Sequence, residues 1–248
     1  MIKGKTISPF KLAVTAVFTA LVCVVTMIFS IYVPATEGFF NVGESMVFLS
    51  ALLFGPFVGA FAGGVGSMLA DLSLGYPHYA PATFAIKALE GTVVGTLKKR
   101  NPKLSSRLHW KFFTIALGSV VGSLLALAWI VIGKIEVTVG LGSGLFVLHV
   151  PAEFWIFLGV IAALSIASLG LLADPEFGWM VFSVIVGGLV MVLGYFLYQR
   201  FLIYPLFKIE VAAIAEIPVN IGQMVIGATA ALPIAKIVWR VLPYLKEK

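Results

Sequence analysis

Polar side chains recur at helical spacing inside the most apolar stretches of the chain. Glu216, Asn220 and Gln223 stand at i, i+4 and i+7, so a helix carries all three on one face. Lys87 and Glu90 are three positions apart and can form an ion pair on another such face. Polar groups are costly in hydrocarbon and therefore turn towards the protein interior or a wet cavity. Two interpretations stay open: hydrogen bonds that hold a helical bundle together, or the polar wall of a ligand pocket.

Aromatic and hydrogen-bonding side chains gather where these apolar stretches end. Such aromatic residues are commonly membrane anchors. Together with inward-facing polar groups they also suit a flat, polar heterocycle, because rings supply stacking surface and a few donors and acceptors fix the orientation. We predict that the following residues bind a small molecule: Phe40, Asn41, Glu44, Tyr76, His78, Tyr79, Lys87, Tyr195, Tyr198, Gln199, Glu216, Asn220 and Gln223.

Sequence signatures of catalysis are missing. The chain has no G-x-x-x-x-G-K-[ST] loop for ATP, no H-E-x-x-H and no G-x-S-x-G. Cys23 is the single cysteine, which excludes an internal disulfide and a cysteine-based metal site. We therefore expect a binding protein with no catalytic residues, no metal and no cofactor.

The composition requires a lipid bilayer as the solvent. Of the 248 residues, 60% are hydrophobic and 11% are charged, with a mean hydropathy of +1.07; a soluble domain carries roughly 25% charged residues. The apolar runs are continuous and close to the ~20 residues of a membrane helix, and they do not alternate as barrel strands do. The fold class is thus an all-α integral membrane protein. The first run, 10–33, is too long for a signal-peptide core, so we take it as a retained helix.

Basic residues fix the expected topology. The net charge of +6 comes from lysines and arginines clustered at both ends and in residues 98–111, which favours cytoplasmic loops over nucleic-acid binding. If the N-terminus and the basic cluster at 98–100 are both cytoplasmic, an even number of helices must cross the membrane between them. Dividing residues 45–74 at Gly55–Pro56 gives four crossings, whereas one kinked helix gives three, so we predict the division. We predict about eight membrane helices with both termini cytoplasmic: 10–33, 44–55, 57–74, 80–97, 112–133, 144–172, 178–204 and 211–240.

Small residues allow close helix approach at two places. Ala16 and Ala20 share one face of the first predicted helix, where they serve either packing within the bundle or contact with another protein. Gly59, Gly63 and Gly66 on the third helix favour tight packing within the bundle.

Several spaced motifs together resemble the S component of energy-coupling factor (ECF) transporters, in its riboflavin-type group. The first block comprises PATEGFFNVGE at 34–44, FLSALLFGP at 48–56, GGVGSMLAD at 63–71, LGYPHYAP at 74–81 and IKALEG at 86–91. The second block comprises MVLGYFLY at 191–198, EIPVNIGQ at 216–223 and ALPIAK at 231–236.

The resemblance implies a function and partners. S components bind a vitamin, a vitamin precursor or a similar micronutrient with high affinity from outside. They join a transmembrane T component and two ATPase subunits that power import. Ala16 and Ala20 match the family motif that contacts the T component, and the loop at 34–44 matches the one that closes over the ligand.

The resemblance also implies a division of the single membrane domain, residues 1–248. Family members have six helices, which correspond here to residues 10–100 and 178–240. Residues of about 110–175 then form an inserted helical hairpin. The expected location is the cytoplasmic membrane of a prokaryote.

Two other functions remain open at this stage. A stand-alone secondary transporter would use the intramembrane carboxylates to couple to ions. An intramembrane enzyme, such as a lipid-modifying transferase, would draw on Lys87, Glu90, His78 and Glu216. The ligand is equally open: riboflavin, a pyrimidine precursor of thiamine and a form of vitamin B6 all fit the group.

Overall fold

The computed structural model describes residues 8–100, 107–131, 134–141, 144–172 and 175–245, which are mostly helical. Two antiparallel hairpins interrupt the helices: β1 (Ser30–Val33) pairs with β2 (Gly38–Asn41), and β3 (Ile135–Leu141) pairs with β4 (Gly144–Val150). The helices are α1 (Pro9–Ile28), α2 (Glu44–Phe54), α3 (Pro56–Leu74), α4 (Ala80–Lys99), α5 (Arg107–Val131), α6 (Glu153–Leu172), α7 (Pro175–Tyr198), the single turn α8 (Tyr204–Phe207) and α9 (Ala213–Val241).

Four stretches of the described chain are long and apolar enough to cross a membrane. They are α1, α3, α9 and Pro175–Phe207, in which α7 continues through a π-helical turn into α8. Large apolar side chains such as Phe112, Ile130 and Phe157 are exposed, as lipid contact requires. The protein is therefore a multi-pass helical membrane protein, and the eight crossings remain a prediction.

The predicted break at Gly55–Pro56 is confirmed. Gly55 adopts φ +83°, a conformation that favours glycine, and so ends α2. Pro56 opens α3, where the first turn needs no backbone N–H. The predicted helices at 44–55, 57–74 and 80–97 agree with α2, α3 and α4 to within two residues.

Two predicted helices are wrong in part, because strands occupy residues assigned to them. The first helix ends at Ile28 instead of 33, and Ser30–Val33 pairs with Gly38–Asn41. Pro34 disfavours helical geometry in the residue before it, and this short segment contains residues that favour strands. Likewise, residues 144–150 of the predicted helix 144–172 form β4, and α6 begins at Glu153. An apolar run without periodicity does not distinguish a buried strand from a helix.

Helices α1–α4, α7 and α9 pack into one bundle. Helices α3 and α4 approach closely, because a Cβ built on Gly59 would stand 2.8 Å from the carbonyl oxygen of Gly91. The predicted role of the α3 glycines in internal packing is thereby confirmed. The apolar core of the bundle contains Phe48, Leu52 and Val184.

Helices α5 and α6 pack chiefly against each other. Gly122 and Gly159 lie at their contact. At the start of α5, the Phe113 ring lies 6.4 Å from that of Trp179 and 5.5 Å from that of Phe182, both on α7. At the other end, β3 lies beside β1. The segment from α5 to α6 is therefore peripheral to the bundle.

Candidate functional site

A polar cavity lies in the bundle at the end that carries the β1–β2 hairpin. About 30 Å³ of free space remains inside it, more than the ~10–15 Å³ that a single water molecule needs. Its wall comes from strand β2, from Tyr79 just before α4, and from five helices: Thr26, Gly38, Phe39, Asn41, Ser67, Asp71, Tyr79, Thr83, Lys87, Tyr195, Glu216, Asn220 and Gln223.

Hydrogen bonds fasten the β1–β2 hairpin over this cavity. The backbone N–H and the side-chain Nδ2 of Asn41 both donate to Oε1 of Gln223, at 2.7 and 2.5 Å. The Tyr79 hydroxyl donates to the carbonyl oxygen of Thr36 at 2.5 Å. These bonds hold the hairpin against α9 and against the start of α4.

The α9 stripe predicted from sequence faces the cavity. Glu216, Asn220 and Gln223 are all buried, and Nε2 of Gln223 donates to Oδ1 of Asn220 at 2.6 Å. Oε2 of Glu216 and Nδ2 of Asn220 have no hydrogen-bond partner within the described ranges. The stripe thus bonds to the hairpin through Gln223 and leaves unpartnered polar atoms in the cavity wall. Its role in ligand binding remains a prediction.

A second carboxyl group enters the cavity from α3. Asp71 is 4% exposed, and its Oδ2 is without a hydrogen-bond partner among the described residues. Ser67, one helical turn earlier, lines the same wall. Across from them, the Tyr195 hydroxyl donates to Oγ1 of Thr83 at 3.0 Å.

Lys87 joins two carboxylates behind the wall. Its Nζ donates to Oε2 of Glu44 on α2 and lies 3.1 Å from Oε2 of Glu90. The Lys87–Glu90 pair predicted from sequence is confirmed, and Glu44 is an additional partner. One ammonium group therefore faces two carboxyl groups, and all three side chains are buried.

Aromatic rings pack against Phe39 and Tyr79 of the cavity wall. The Tyr76 ring packs 4.9 Å from that of Phe39, and the His78 ring lies at the same distance from that of Tyr79. Burial raises the pKa of the Tyr79 phenol, and the charge of Glu216 raises this pKa further, so the phenol is protonated at neutral pH and donates.

A second layer of hydrogen bonds positions these rings. Nε2 of Gln199 donates to the Tyr79 hydroxyl at 2.8 Å, and the Tyr198 hydroxyl donates to the carbonyl oxygen of His78. Gln199 begins the π-helical turn after α7, a local widening that is frequent at functional sites.

The structure divides the predicted binding residues into two groups. Those that line the cavity are Asn41, Tyr79, Lys87, Tyr195, Glu216, Asn220 and Gln223. Those outside the lining are Phe40, Glu44, Tyr76, His78, Tyr198 and Gln199. Phe40 packs against Val33 instead.

Six lining residues were absent from the predicted set: Thr26, Gly38, Phe39, Ser67, Asp71 and Thr83. The pair Ser67 and Asp71 carried a usable signal, because its i, i+4 spacing resembles that of the α9 stripe. Thr26 and Thr83 gave no comparable sequence signal, since threonine is common in apolar helices.

Ala16 and Ala20 lie on the exposed face of α1, whereas Thr15, Val22 and Thr26 are buried on its other side. Packing within the bundle therefore does not explain the two alanines. Their contact with a partner helix remains a prediction.

Comparison with known proteins gives one family and one relative. The family model described as "ECF-type riboflavin transporter, S component" matches residues 6–173, which include α1–α6. A relative from Pyrococcus woesei, described as "Uncharacterized protein in gap 3'region", is 40% identical over 138 residues, which cover 54% of this chain and 80% of the relative. The cavity residues on α7 and α9 lie beyond the range that the family model matches.

Proposed function

The chain belongs to the family of ECF-type riboflavin transporter S components, and from this membership we propose that it binds a vitamin or vitamin precursor and delivers it to an ATP-driven importer. The observation that carries the proposal is the polar cavity: a small site inside a membrane bundle, with buried polar atoms left unpartnered in the described chain. Unpaired buried polar atoms are costly, and a ligand with matching groups removes that cost.

Ligand entry requires the β1–β2 hairpin to move. Small-molecule sites typically enclose ~300–1,000 Å³, whereas about 30 Å³ is free here. We call residues 30–41 the lid. Besides the bonds of Asn41 and Tyr79, the lid accepts a bond at the carbonyl of Ala35 from the backbone N–H of Ala212, at 2.8 Å. Each such bond contributes only about 1 kcal/mol, so the lid can open and then close again over the ligand.

The energy for transport comes from partners in this proposal. The sequence has no P-loop, and family membership implies a T component and two ATPase subunits. The exposed positions of Ala16 and Ala20 on α1 support docking there, because small side chains let a second helix approach closely. Helices α1–α4, α7 and α9 form the six-helix core of this arrangement, and α5 to α6 is the inserted segment.

Binding and transport measurements test the proposal. The purified protein in detergent is titrated calorimetrically with a panel of vitamins and precursors, and we expect one member to bind at a ratio of one to one with submicromolar affinity. In liposomes, we expect uptake only when the T component, both ATPases and ATP are present. Binding of no panel member would contradict the proposal.

Two outcomes would favour the alternative functions. Uptake by this chain alone, driven by an ion gradient, would identify a secondary transporter. Turnover of a lipid or prenyl substrate by the pure protein would identify an enzyme.

A further inference from the structure

The polar cavity has more negative than positive groups in its wall. Asp71 and Glu216 each present a buried carboxyl group, with 4% and 6% of the residue exposed. Among the described wall residues Lys87 is the one cation. Its ammonium group is engaged by Glu44 and Glu90, and within the described residues it forms no ion pair with Asp71 or Glu216.

Among the wall atoms that lack a hydrogen-bond partner in the described chain, acceptors outnumber donors. Oδ2 of Asp71 and Oε2 of Glu216 are acceptors without a partner in the described part of the chain, and Nδ2 of Asn220 is a donor without one. The other amide groups bond to each other, from Asn41 to Gln223 and from Gln223 to Asn220. A complementary ligand therefore brings at least two donors and one acceptor.

We propose that the ligand is a small cationic heterocycle, with a protonated amine or ring nitrogen held by the carboxylates of Asp71 and Glu216. This inference rests on the proposed function and names the substrate class of the same site. A buried carboxylate is stable only when a cation or several donors pair with it. The rings of Phe39, Tyr79 and Tyr195 in the same wall add stacking surface and attract a cation over their faces.

The same chemistry disfavours two other ligand classes. A phosphorylated ligand would bring a third acidic group beside the two carboxyl groups, with no spare cation in the described wall. A neutral ring system such as the flavin of riboflavin leaves both carboxyls without a counter-charge. It would fit only if Asp71 and Glu216 were protonated and acted as donors.

Matched probes decide between these classes. Pyridoxamine and pyridoxine share a ring and differ by an amine against a hydroxyl, and 5-aminomethyl- and 5-hydroxymethyl-4-amino-2-methylpyrimidine differ in the same way. Riboflavin and flavin mononucleotide complete the panel as larger neutral and anionic probes. By calorimetry at pH 7, we expect the cationic member of the better-bound pair to bind at least tenfold more tightly than its neutral partner and than either flavin.

Failure of this inference differs from failure of the proposed function. Tightest binding of riboflavin, or of any neutral or anionic probe, would overturn the charge inference and leave the S-component function standing. Binding of none of the probes or vitamins would overturn both.

Two charge-neutral variants test the residues themselves. Asp71→Asn and Glu216→Gln keep the shape and an acceptor oxygen, so they remove the negative charge selectively. We expect each variant to weaken the binding of the cationic probe by at least tenfold and the binding of its neutral partner by less than threefold. Retained binding of the neutral partner shows that the variant is folded. Glu210→Gln, an exposed carboxylate outside the cavity wall, is the matched control. Unchanged affinity of both cavity variants for the cation would overturn the inference.

Discussion

Asn41 and Gln223, 182 positions apart in sequence, share two hydrogen bonds in which both nitrogen donors of Asn41 reach one oxygen of Gln223. This contact joins the end of β2 to the middle of α9. It makes the lid part of the cavity wall instead of a loose loop above it. Because Gln223 also bonds to Asn220, a change in the lid reaches the polar stripe directly.

Loosening the lid outside the cavity should change binding kinetics more than affinity. Ala212→Pro removes the N–H that bonds to Ala35, and the φ of −84° at Ala212 is close to the range of proline. We expect ligand association and dissociation, measured by stopped-flow fluorescence, both to become several-fold faster. Thr229→Ala is the control, since its hydroxyl donates to the carbonyl oxygen of Val225 within α9. Unchanged rates would show that the lid is not the barrier to entry.

Removing Gln223 should act on both the lid and the wall. Gln223→Ala leaves the donors of Asn41 without their acceptor and removes a bond to Asn220. We expect dissociation to become at least tenfold faster, because a loss of ~1.4 kcal/mol corresponds to a factor of ten. Hydrogen exchange should also rise at 38–41. Unchanged hydrogen exchange in that segment would show that Gln223 does not hold the lid in place.

Removing Lys87 should destabilise the bundle strongly. Lys87→Met leaves Glu44 and Glu90 buried without their shared cation, and breaking a buried pair in this way costs ~3–5 kcal/mol. We expect a clear drop in the melting temperature in detergent. Lys87→Met combined with Glu44→Gln and Glu90→Gln should recover much of it, because no charge remains in this cluster. A single variant that melts like the wild type would show that the ion cluster contributes little.

Enlarging the alanines on α1 should separate ligand binding from assembly. Ala16→Leu and Ala20→Leu add bulk on an exposed face, so we expect unchanged ligand affinity. Co-purification with the T component and ATPases should be lost. Ala85→Leu, an exposed alanine on α4, is the matched control. Normal assembly of the α1 variants would place the docking surface elsewhere.

Strongly alkaline pH should release one contact within the lid. The Tyr32 hydroxyl donates to Oε2 of Glu37 at 2.9 Å, and burial together with this carboxylate raises the pKa of Tyr32 to about 12. The folded-state pKa exceeds the ordinary value of 10.0, so this contribution to lid stability is complete below pH ~10 and is lost as the pH rises through 12. Subtracting the tyrosinate absorbance of Tyr32→Phe from that of the wild type isolates this titration. A midpoint near 10 would contradict the contact.

Spacing within one helix was readable from sequence, whereas contacts between distant segments were not. The i, i+4, i+7 pattern placed Glu216, Asn220 and Gln223 on the cavity wall, and the i, i+3 pattern paired Lys87 with Glu90. Glu44 joins that pair from 43 positions away, a contact that no local pattern encodes. The same limit hid β1, because a strand of four residues depends on its partner across the turn.

Helix α1 contributes both to the cavity wall and to the exposed alanine surface, so these two surfaces move together. Thr26 lines the cavity and β1 begins just beyond the end of the helix, whereas Ala20 and Ala16 lie six and ten residues earlier, ~9 and ~15 Å along its axis. A rigid rod of this length transmits tilt from one end to the other. In the proposed assembly, a neighbouring subunit docked at Ala16 and Ala20 would therefore sense the occupancy of the site through the tilt of this one helix, without any signal crossing the rest of the bundle.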